Sequence, residues 1–224
     1  MRTKGSRSRG NTETKQRIAL VSKDLFSLKG YLGTSIEDII AASGSSKGNL
    51  YYHFKSKEEL FLFLLEEQVD EWIEQWSAKE KQFGTAAEKL YGLADHVAED
   101  FQNPLIRAAD EFRASEAAAP AVSEQILLAV QRQRKIFHSV LQEAIDEGVI
   151  DRRHDPDQLA QILYAVFAGL NTARHEPLAA SAELHRMAVS VFLHGTAARS
   201  TAEAVPLKLH IVPESARKQT SDKP

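Results

Sequence analysis

The segment TSIEDIIAASGSSKGNLYYHFKSKEEL, residues 34–60, determines which fold the chain can adopt. At its start, Thr34 and Glu37 have the spacing of a capping box, in which a hydroxyl and a carboxylate each bind a free backbone amide at a helix start. The isoleucines that follow have the spacing of one helix face, namely Ile36, Ile39 and Ile40. Gly44 favours a helix end, so the pattern predicts a short helix followed by a tight turn.

A second short helix is predicted directly after this turn. Ser45 or Ser46 is suited to cap it, and Leu50 and Phe54 lie about one turn apart on the side that would face a core. The other side chains of this helix point outward, namely Lys47, Gly48, Asn49, Tyr51, Tyr52 and His53. Two short helices joined by a turn that contains glycine are typical of a helix-turn-helix.

The outward face of the second helix has the chemistry of a DNA-reading surface. A helix that enters a major groove about 12 Å wide needs a slim outer surface, which Gly48 provides. Free amides at the helix start favour a phosphate, and lysine and tyrosine side chains bind phosphates or base edges. We therefore expect DNA contacts from Thr34, Ser35, Ser45, Ser46, Lys47, Gly48, Asn49, Tyr51, Tyr52, His53, Lys55 and Lys57.

The charge of the chain is divided unevenly between this region and the remainder. Residues 1–57 contain eleven Lys or Arg against four Asp or Glu, a net charge of +7. Because the whole chain of 224 residues carries −3, residues 58–224 carry −10. A basic end on an acidic body is expected where one end meets phosphates and the other does not.

The rest of the chain predicts further helices and no sustained strand. A first helix is expected at about 14–28, with Ile18, Val21, Leu25 and Leu28 on one face. A fourth should begin at Ser56 and run to about residue 83. Later helices are expected at about 85–102, 104–118, 121–147, 156–174 and 181–198, separated by Gly and Pro. The predicted organisation is a flexible basic arm (1–11), a helix-turn-helix domain (12–57), a ligand-binding and dimerisation domain (58–198) and a flexible tail (199–224).

Residues 45–60, SSKGNLYYHFKSKEEL, resemble the recognition helix and the following helix start of the tetracycline-repressor (TetR) family. The match extends over about residues 12–62 and includes positions of the preceding helix, namely Thr34, Ile36, Ile39, Ala41, Ala42 and Gly44. Beyond that region, the stretch through Trp72 and Trp76 is similar to a repressor of a multidrug efflux pump within this family. The resemblance implies an all-α protein that binds palindromic operator DNA as a homodimer.

The resemblance also implies that the last two long helices of each subunit form a four-helix dimer interface. Both predicted helices, near 156–174 and 181–198, have wide apolar faces. The apolar residues of the first are Leu159, Ile162, Leu163, Val166, Phe167 and Leu170. Those of the second are Leu184, Met187, Val191 and Phe192. We expect these faces to be buried between two copies of the chain.

A small-molecule cavity is implied among the helices after the helix-turn-helix. Trp72 and Trp76 lie on one helix face, and each is either a cavity wall or part of the core. Ligand sites are lined mainly by apolar and aromatic groups, so we expect contacts from Trp72, Trp76, Phe101, Phe112 and Phe137. If the ligand is a cation, nearby carboxylates such as Asp110 and Glu111 are suited to bind it.

Other classes of protein are disfavoured. Residues 44–48, GSSKG, match the G-x-S-x-G of serine hydrolases, but that motif needs a buried strand before the serine, where this sequence predicts a helix. The eight histidines include no H-E-x-x-H pair, and no cysteine is present to ligate a metal. The longest apolar run, residues 60–65, is far shorter than the roughly 20 residues of a membrane span. We expect a cytoplasmic protein with no catalytic residues, metal, cofactor or membrane partner.

The function that the sequence predicts is ligand-responsive regulation of transcription, most simply repression. Two subunits would read a palindromic operator and release it when a small hydrophobic or amphipathic inducer binds. The alternative is an architectural or nucleoid-associated DNA-binding protein without a ligand, which a fully packed second domain would favour.

Overall fold

The computed structural model describes the backbone of residues 4–115, 120–170 and 177–197, and the side chains of 11–115, 127–170 and 177–197. The predicted tail, 199–224, lies outside these residues. Within them the fold is all-α, as predicted, and its only β-type pairing is a single bridge between Ile150 and Ala197. The helices are α1 (Lys4–Lys29), α2 (Ile36–Ser43), α3 (Lys47–His53), α4 (Lys57–Lys79), α5 (Ala86–Asp100), α6 (Pro104–Ala114), α7 (Pro120–Asp146), α8 (Pro156–Leu170) and α9 (Leu178–Thr196).

Several helix ends differ from the sequence prediction: α6 ends at Ala114 rather than near 118, and α9 begins at Leu178 rather than near 181. The first helix begins at Lys4 rather than near Thr14, so residues 4–11 of the predicted flexible arm belong to α1. The fourth ends at Lys79, and a single 3-10 turn at Glu80–Gln82 leads to the next helix. Helix α4 therefore ends four residues before the predicted bound, and a 3-10 turn rather than a glycine follows it.

Polar side chains define the starts of the short helices. Ser35, not Thr34, caps α2: its hydroxyl accepts from the Asp38 amide, and the Asp38 carboxylate accepts from the Ser35 amide. The capping box thus lies one residue later than predicted. Ser56 caps α4, but Glu59 accepts from the Lys55 amide instead of closing the box at Ser56.

The helix-turn-helix domain has an aromatic core that extends into the following domain. Phe26, Tyr31 and Phe61 pack together, and Phe112 of α6 inserts against the last two, with ring centroids 4.7 Å from Tyr31 and 5.0 Å from Phe61. The side chains of α6 that are buried in this cluster are Leu105, Ala108 and Phe112. The helix-turn-helix domain is therefore packed directly against α6.

A second core fills the space among α4, α5, α7, α8 and α9. Its largest members are Trp72, Trp76, Phe137 and Phe167. Phe167 is 1% exposed and contacts the rings of Phe137 and His185, at centroid distances of 5.7 and 5.1 Å. Leu159 and Leu163 are buried in the same core. The prediction that these three α8 residues lie in a dimer interface is wrong, because they fill the interior of the subunit.

Candidate DNA-binding surface and ligand cavity

The outer surface of α3 carries five of the twelve residues that we predicted to contact DNA, namely Lys47, Gly48, Asn49, Tyr51 and Tyr52. Tyr52 is 72% exposed and Tyr51 41% exposed, and Lys47 and Lys55 are exposed beside them. Ser46 caps α3 by accepting from the Asn49 amide at 3.2 Å. Leu50 and Phe54 anchor the opposite side of the helix in the core, as predicted. The arrangement holds a polar and aromatic face outward on a rigid, capped helix.

Gly48 lies on this face, at a position where neither the backbone conformation nor the packing requires glycine. A Cβ atom at Gly48 would meet nothing within 4 Å, and its φ is not positive. At Gly44, by contrast, φ is +63°, a left-handed conformation that favours glycine at the end of α2. The open space at Gly48 is therefore a feature of the outer surface of α3, where a DNA backbone or base edge would approach.

Three residues of the predicted DNA-contact set are engaged inside the protein. Thr34 is 1% exposed, and its hydroxyl donates to the carbonyl oxygens of Gly30 at 2.8 Å and Leu25 at 3.2 Å. Lys57 donates to the carbonyl oxygens of Tyr31 and Thr34, at 2.8 and 2.9 Å. Both side chains hold the turn between α1 and α2, so the prediction that they contact DNA is wrong for this conformation.

His53 is the third of these residues. Its Nε2 atom is buried and has no hydrogen-bond partner among the described residues. Burial and the nearby Lys15 ammonium lower the pKa of His53, so the ring is neutral near pH 7. It packs between Tyr52 and Phe54. The structure therefore gives His53 a packing role, not the predicted phosphate contact.

The two remaining serines differ in accessibility. Ser35 is exposed, but its hydroxyl is committed to Asp38, and these hydrogen bonds together with Lys29 lower the pKa of that carboxyl to about 2. Ser45 is buried in the turn, and its hydroxyl oxygen has no hydrogen-bond partner among the described residues. Ser46, Lys47, Asn49 and the two tyrosines of α3 thus form the accessible centre of the candidate surface.

A cavity of about 250 Å³ opens among α4, α5, α6, α7 and α8. Trp72, Phe101 and Phe137 line it, in agreement with three of the five predicted positions. Trp76 does not: it is 1% exposed and is enclosed by Phe83 and His96. Phe112 also does not, because it turns into the aromatic core of the DNA-binding domain. These two predictions are wrong, since both rings are covered by neighbouring side chains.

The carboxylate in this cavity is one that the sequence analysis missed. Asp100, at the end of α5, lines the cavity and accepts from Gln68 Nε2 at 3.3 Å. Burial, with the negative charge of Glu71, raises the pKa of Asp100 to about 6. Asp110 and Glu111 point elsewhere, the first to Arg113 and the second to the Leu32 amide of the α1–α2 turn. The sequence did contain a signal for Asp100: it is an acidic residue at the end of an amphipathic helix, directly before Phe101.

The outer faces of α8 and α9 expose large apolar side chains. Met187 is 56% and Val191 69% exposed on α9, and Ile162 and Val166 of α8 are 52% and 41% exposed. Each pair lies at helical spacing, so each helix presents an apolar stripe outward. Five of the ten predicted interface residues are thus exposed, the fifth being Leu184. Three fill the core, and Leu170 and Phe192 are partly buried against it.

The described ranges show neither a metal cluster nor a membrane span. They contain no group of three or more His, Cys, Asp or Glu side chains placed to hold a metal ion. No helix in this part of the chain has both the length and the apolar character needed to cross a bilayer.

A capped, solvent-exposed α3 packed on α1 and α2, followed by a helical domain with an internal cavity, defines a DNA-binding transcription regulator with a ligand-binding domain. Comparison with known proteins gives the same class. Residues 20–64 match the family described as bacterial regulatory proteins, tetR family, and residues 68–198 match the QacR-like protein, C-terminal region. The chain belongs to the TetR family.

Individual relatives extend this result. The chain is 31% identical to the transcriptional regulator QacR of Staphylococcus aureus over 163 residues, which cover 72% of this chain and 86% of QacR. It is 37% identical to RutR of Escherichia coli over 87 residues, 39% of this chain and 41% of RutR. The same fold occurs in a putative TetR-family regulator from Mesorhizobium loti, at a TM-score of 0.70 and 22% identity over 84% of this chain and 98% of that one.

A further solved structure shows the fold with a ligand. FadR of Bacillus subtilis, solved in complex with stearoyl-CoA, superposes with a TM-score of 0.69 at 18% identity, covering 80% of this chain and 98% of FadR. At this identity the match concerns the fold alone.

Proposed function

We propose that this protein is a repressor that binds a palindromic operator as a homodimer and releases it when a small molecule fills the cavity. The observation that carries the proposal is the position of α6. One face of this helix lines the cavity, through Ile106, Ala109 and Arg113. The adjacent face is built into the core of the DNA-binding domain through Phe112. A ligand that displaces α6 must also displace that domain.

A polar contact reinforces this connection. The Glu111 carboxylate of α6 accepts from the Leu32 amide at 3.3 Å, in the turn between α1 and α2. At Gly30 of the same turn, a Cβ atom would lie 2.3 Å from a Glu111 carboxylate oxygen, so in this position the carboxylate lies close against the backbone of the turn. These contacts tie the cavity wall to the segment that positions the helix-turn-helix.

The apolar stripes of α8 and α9 support dimerisation. Helices that expose such stripes are stabilised when a second copy covers them, and a two-fold pairing of two helices per subunit gives a four-helix interface. The two α3 helices of the dimer must lie about 34 Å apart to enter successive major grooves. A ligand that favours a different spacing lowers operator affinity.

The cavity favours a sensing role over an architectural one, because a DNA-binding protein without a ligand has no need for an aromatic-lined space in its second domain. Trp72 lines this cavity and belongs to α4, the helix that begins at the end of the helix-turn-helix. Ligand contact with Trp72 would therefore act on α4 as well as on α6. Catalysis forms no part of this proposal.

The DNA-binding half of the proposal is tested by gel shift with DNA from upstream of the chain's own gene. Lys47→Ala combined with Tyr51→Ala should weaken binding and reduce its salt dependence, because fewer counterions are released when a phosphate contact is lost. Lys81→Ala removes the same charge from an exposed position outside the helix-turn-helix and should bind as the wild type does. Equal binding by both variants would refute the assignment of α3.

The ligand-response half is tested with Trp72→Ala. This variant should keep operator affinity and lose release by compounds that quench tryptophan fluorescence in the wild type, because the cavity wall is removed while α3 is untouched. If every compound releases DNA equally well from both proteins, the ligand does not act through this cavity.

A further inference from the structure

His185 is a titratable side chain buried on the inner face of α9. It is 0% exposed, and its ring packs against Phe101, which follows α5, and Phe167 of α8, at centroid distances of 5.5 and 5.1 Å. The contact with Phe167 joins the two helices whose outer faces carry the exposed apolar stripes. His185 therefore helps to set how α8 and α9 lie against each other.

Hydrogen bonding assigns the neutral form of this ring. A carbonyl oxygen can only accept, so the 2.7 Å contact between His185 Nδ1 and the Ser181 carbonyl places the proton on Nδ1. Nε2 then carries a lone pair, and it is buried with no hydrogen-bond partner among the described residues. Burial lowers the pKa of His185, in keeping with this geometry. A second proton, on Nε2, would create an unpaired buried donor, which costs free energy.

The charged groups near His185 are already paired with each other. On α5, the Asp95 carboxylate favours a positive charge on the ring, but it accepts two hydrogen bonds of 2.6 Å from the Arg186 guanidinium of α9. On α8, the side chain that faces the ring is the apolar Phe167. A protonated His185 must therefore displace Arg186 from Asp95 or reach water. Because the ring is fully buried, it can reach water only if α9 moves away from α5 and α8.

We propose that His185 makes the paired subunits separate in acid: when the buried ring takes up a proton, α9 detaches from α5 and α8, and the surface that pairs with a second copy is lost. The neutral ring holds this surface together near pH 7. The pairing of two copies, and the loss of operator binding that follows from their separation, rest on the function proposed above.

The size of the effect follows from proton linkage. In the pair His185 stays neutral, whereas in a separated subunit the released ring should titrate near the ordinary histidine pKa of about 6.5. Each of the two subunits then takes up one proton on separation. Between about pH 7.5 and pH 5.5 the dissociation constant of the pair should therefore rise by about 10- to 100-fold, the upper figure applying if both rings are fully released.

The experiment measures this dissociation constant on the full chain by sedimentation equilibrium at about pH 7.5, 6.5 and 5.5, at constant ionic strength. His185→Gln keeps a donor for the Ser181 carbonyl and cannot take up a proton in this range. His185→Phe keeps a ring against Phe101 and Phe167. Both variants should pair at pH 7.5, and their dissociation constants should change by about 3-fold or less on acidification, because the linked proton is gone.

Two control variants separate His185 from other histidines. His194→Gln removes an exposed histidine of α9, whose Nδ1 contacts the Ser190 carbonyl at 2.6 Å in the same way. His96→Gln removes a second buried histidine, which lies on α5 and contacts the Trp72 carbonyl of α4. Both variants should keep the pH dependence of pairing that the wild type has. Circular dichroism at each pH follows the helix content of every protein.

The proposal is overturned if the wild-type pair is equally tight at pH 7.5 and pH 5.5, or if His185→Gln and His185→Phe separate in acid as the wild type does. It is also overturned if both variants fail to pair at pH 7.5, since the ring would then be needed whatever its charge. Loss of helix content in acid that is equal in the wild type and His185→Gln would likewise contradict it.

Gel shifts at the same pH values, with DNA from upstream of the chain's own gene, distinguish these outcomes from failure of the proposed function. Acid separation that depends on His185 but leaves DNA binding unchanged would keep the proton switch and refute operator binding as a homodimer. A wild type that is monomeric at pH 7.5 would overturn both.

Discussion

Replacing Gly30 by alanine tests whether the contact between α6 and the α1–α2 turn has the strength that the structure implies. Gly30 has a φ of +77°, and a Cβ atom would lie 2.3 and 2.5 Å from the two Glu111 carboxylate oxygens. Gly44 provides a matched control, since its φ is +63° and its Cβ would meet nothing within 4 Å. Both substitutions carry the cost of a left-handed alanine, about 1–2 kcal/mol. Only Gly30→Ala also displaces Glu111.

The additional cost follows from what Glu111 does. A carboxylate at the end of a flexible side chain can move aside, so the steric overlap itself is relieved. Its hydrogen bond from the Leu32 amide is then lost, which costs about 1 kcal/mol. We therefore expect Gly44→Ala to lower the free energy of unfolding by about 1–2 kcal/mol, the conformational cost alone. Gly30→Ala should lower it by about 2–3 kcal/mol, because the conformational cost and the lost hydrogen bond add together.

The assay is urea unfolding followed by circular dichroism, at one fixed protein concentration because dimerisation contributes to apparent stability. A double-mutant cycle isolates the contact. In a Glu111→Ala background, Gly30→Ala should cost no more than Gly44→Ala does. If the two glycine substitutions cost the same in the wild-type background, Glu111 does not hold the turn, and the polar half of the proposed α6 connection is refuted.

Four further outcomes are expected. Phe112→Ala should lower the free energy of unfolding by about 3–5 kcal/mol, and an effect below about 1 kcal/mol would show that the aromatic cluster repacks freely. Met187→Arg should give folded monomers in light scattering, whereas Phe167→Arg should unfold the subunit; a dimeric Met187→Arg protein would place the interface elsewhere. Burial lowers the pKa of His96, so below about pH 6.5 the unfolded chain binds a proton more readily than the folded chain does. The free energy of unfolding should therefore fall as the pH drops below this value. His96→Gln should make the free energy of unfolding less dependent on pH in this range. Hydrogen bonds from Ser35 lower the pKa of Asp38 to about 2. The contribution of the Asp38 carboxylate to the free energy of unfolding should therefore be present above about pH 4 and lost toward about pH 2. Ser35→Ala should reduce this pH dependence in acid unfolding curves.

The sequence was sufficient to predict the helices because their signals are local. Capping residues, a three- and four-residue apolar period and well-placed Gly and Pro fix the type of element without reference to the rest of the chain. The capping box of α2 shows the limit of such signals. Thr34 with Glu37 and Ser35 with Asp38 both fit the pattern. The second pair forms because the Thr34 hydroxyl meets carbonyl oxygens of α1 and of the turn, which no local pattern reveals.

Side-chain roles in the candidate site were less predictable, because they depend on which helix covers which face. Trp72 and Trp76 share one face of α4, but only Trp72 reaches the cavity, since Phe83 and His96 cover Trp76. Lys57 has the sequence context of a phosphate contact, and its ammonium instead lies 4.1 Å from the Tyr31 ring centroid. Such residues have two plausible partners, and only the tertiary structure selects between them.

The ring of His96, on α5, contacts both tryptophans of α4. A carbonyl oxygen can only accept, so the 2.9 Å contact between His96 Nε2 and the Trp72 carbonyl places the proton on Nε2. Nδ1 is then free to accept from Lys79 at 3.3 Å. The neutral ring stacks between Trp72 and Trp76, at centroid distances of 4.7 and 5.8 Å. These contacts join α4 to α5 through His96. In the proposed function, a ligand that shifts Trp72 would therefore be expected to move α5 together with α4.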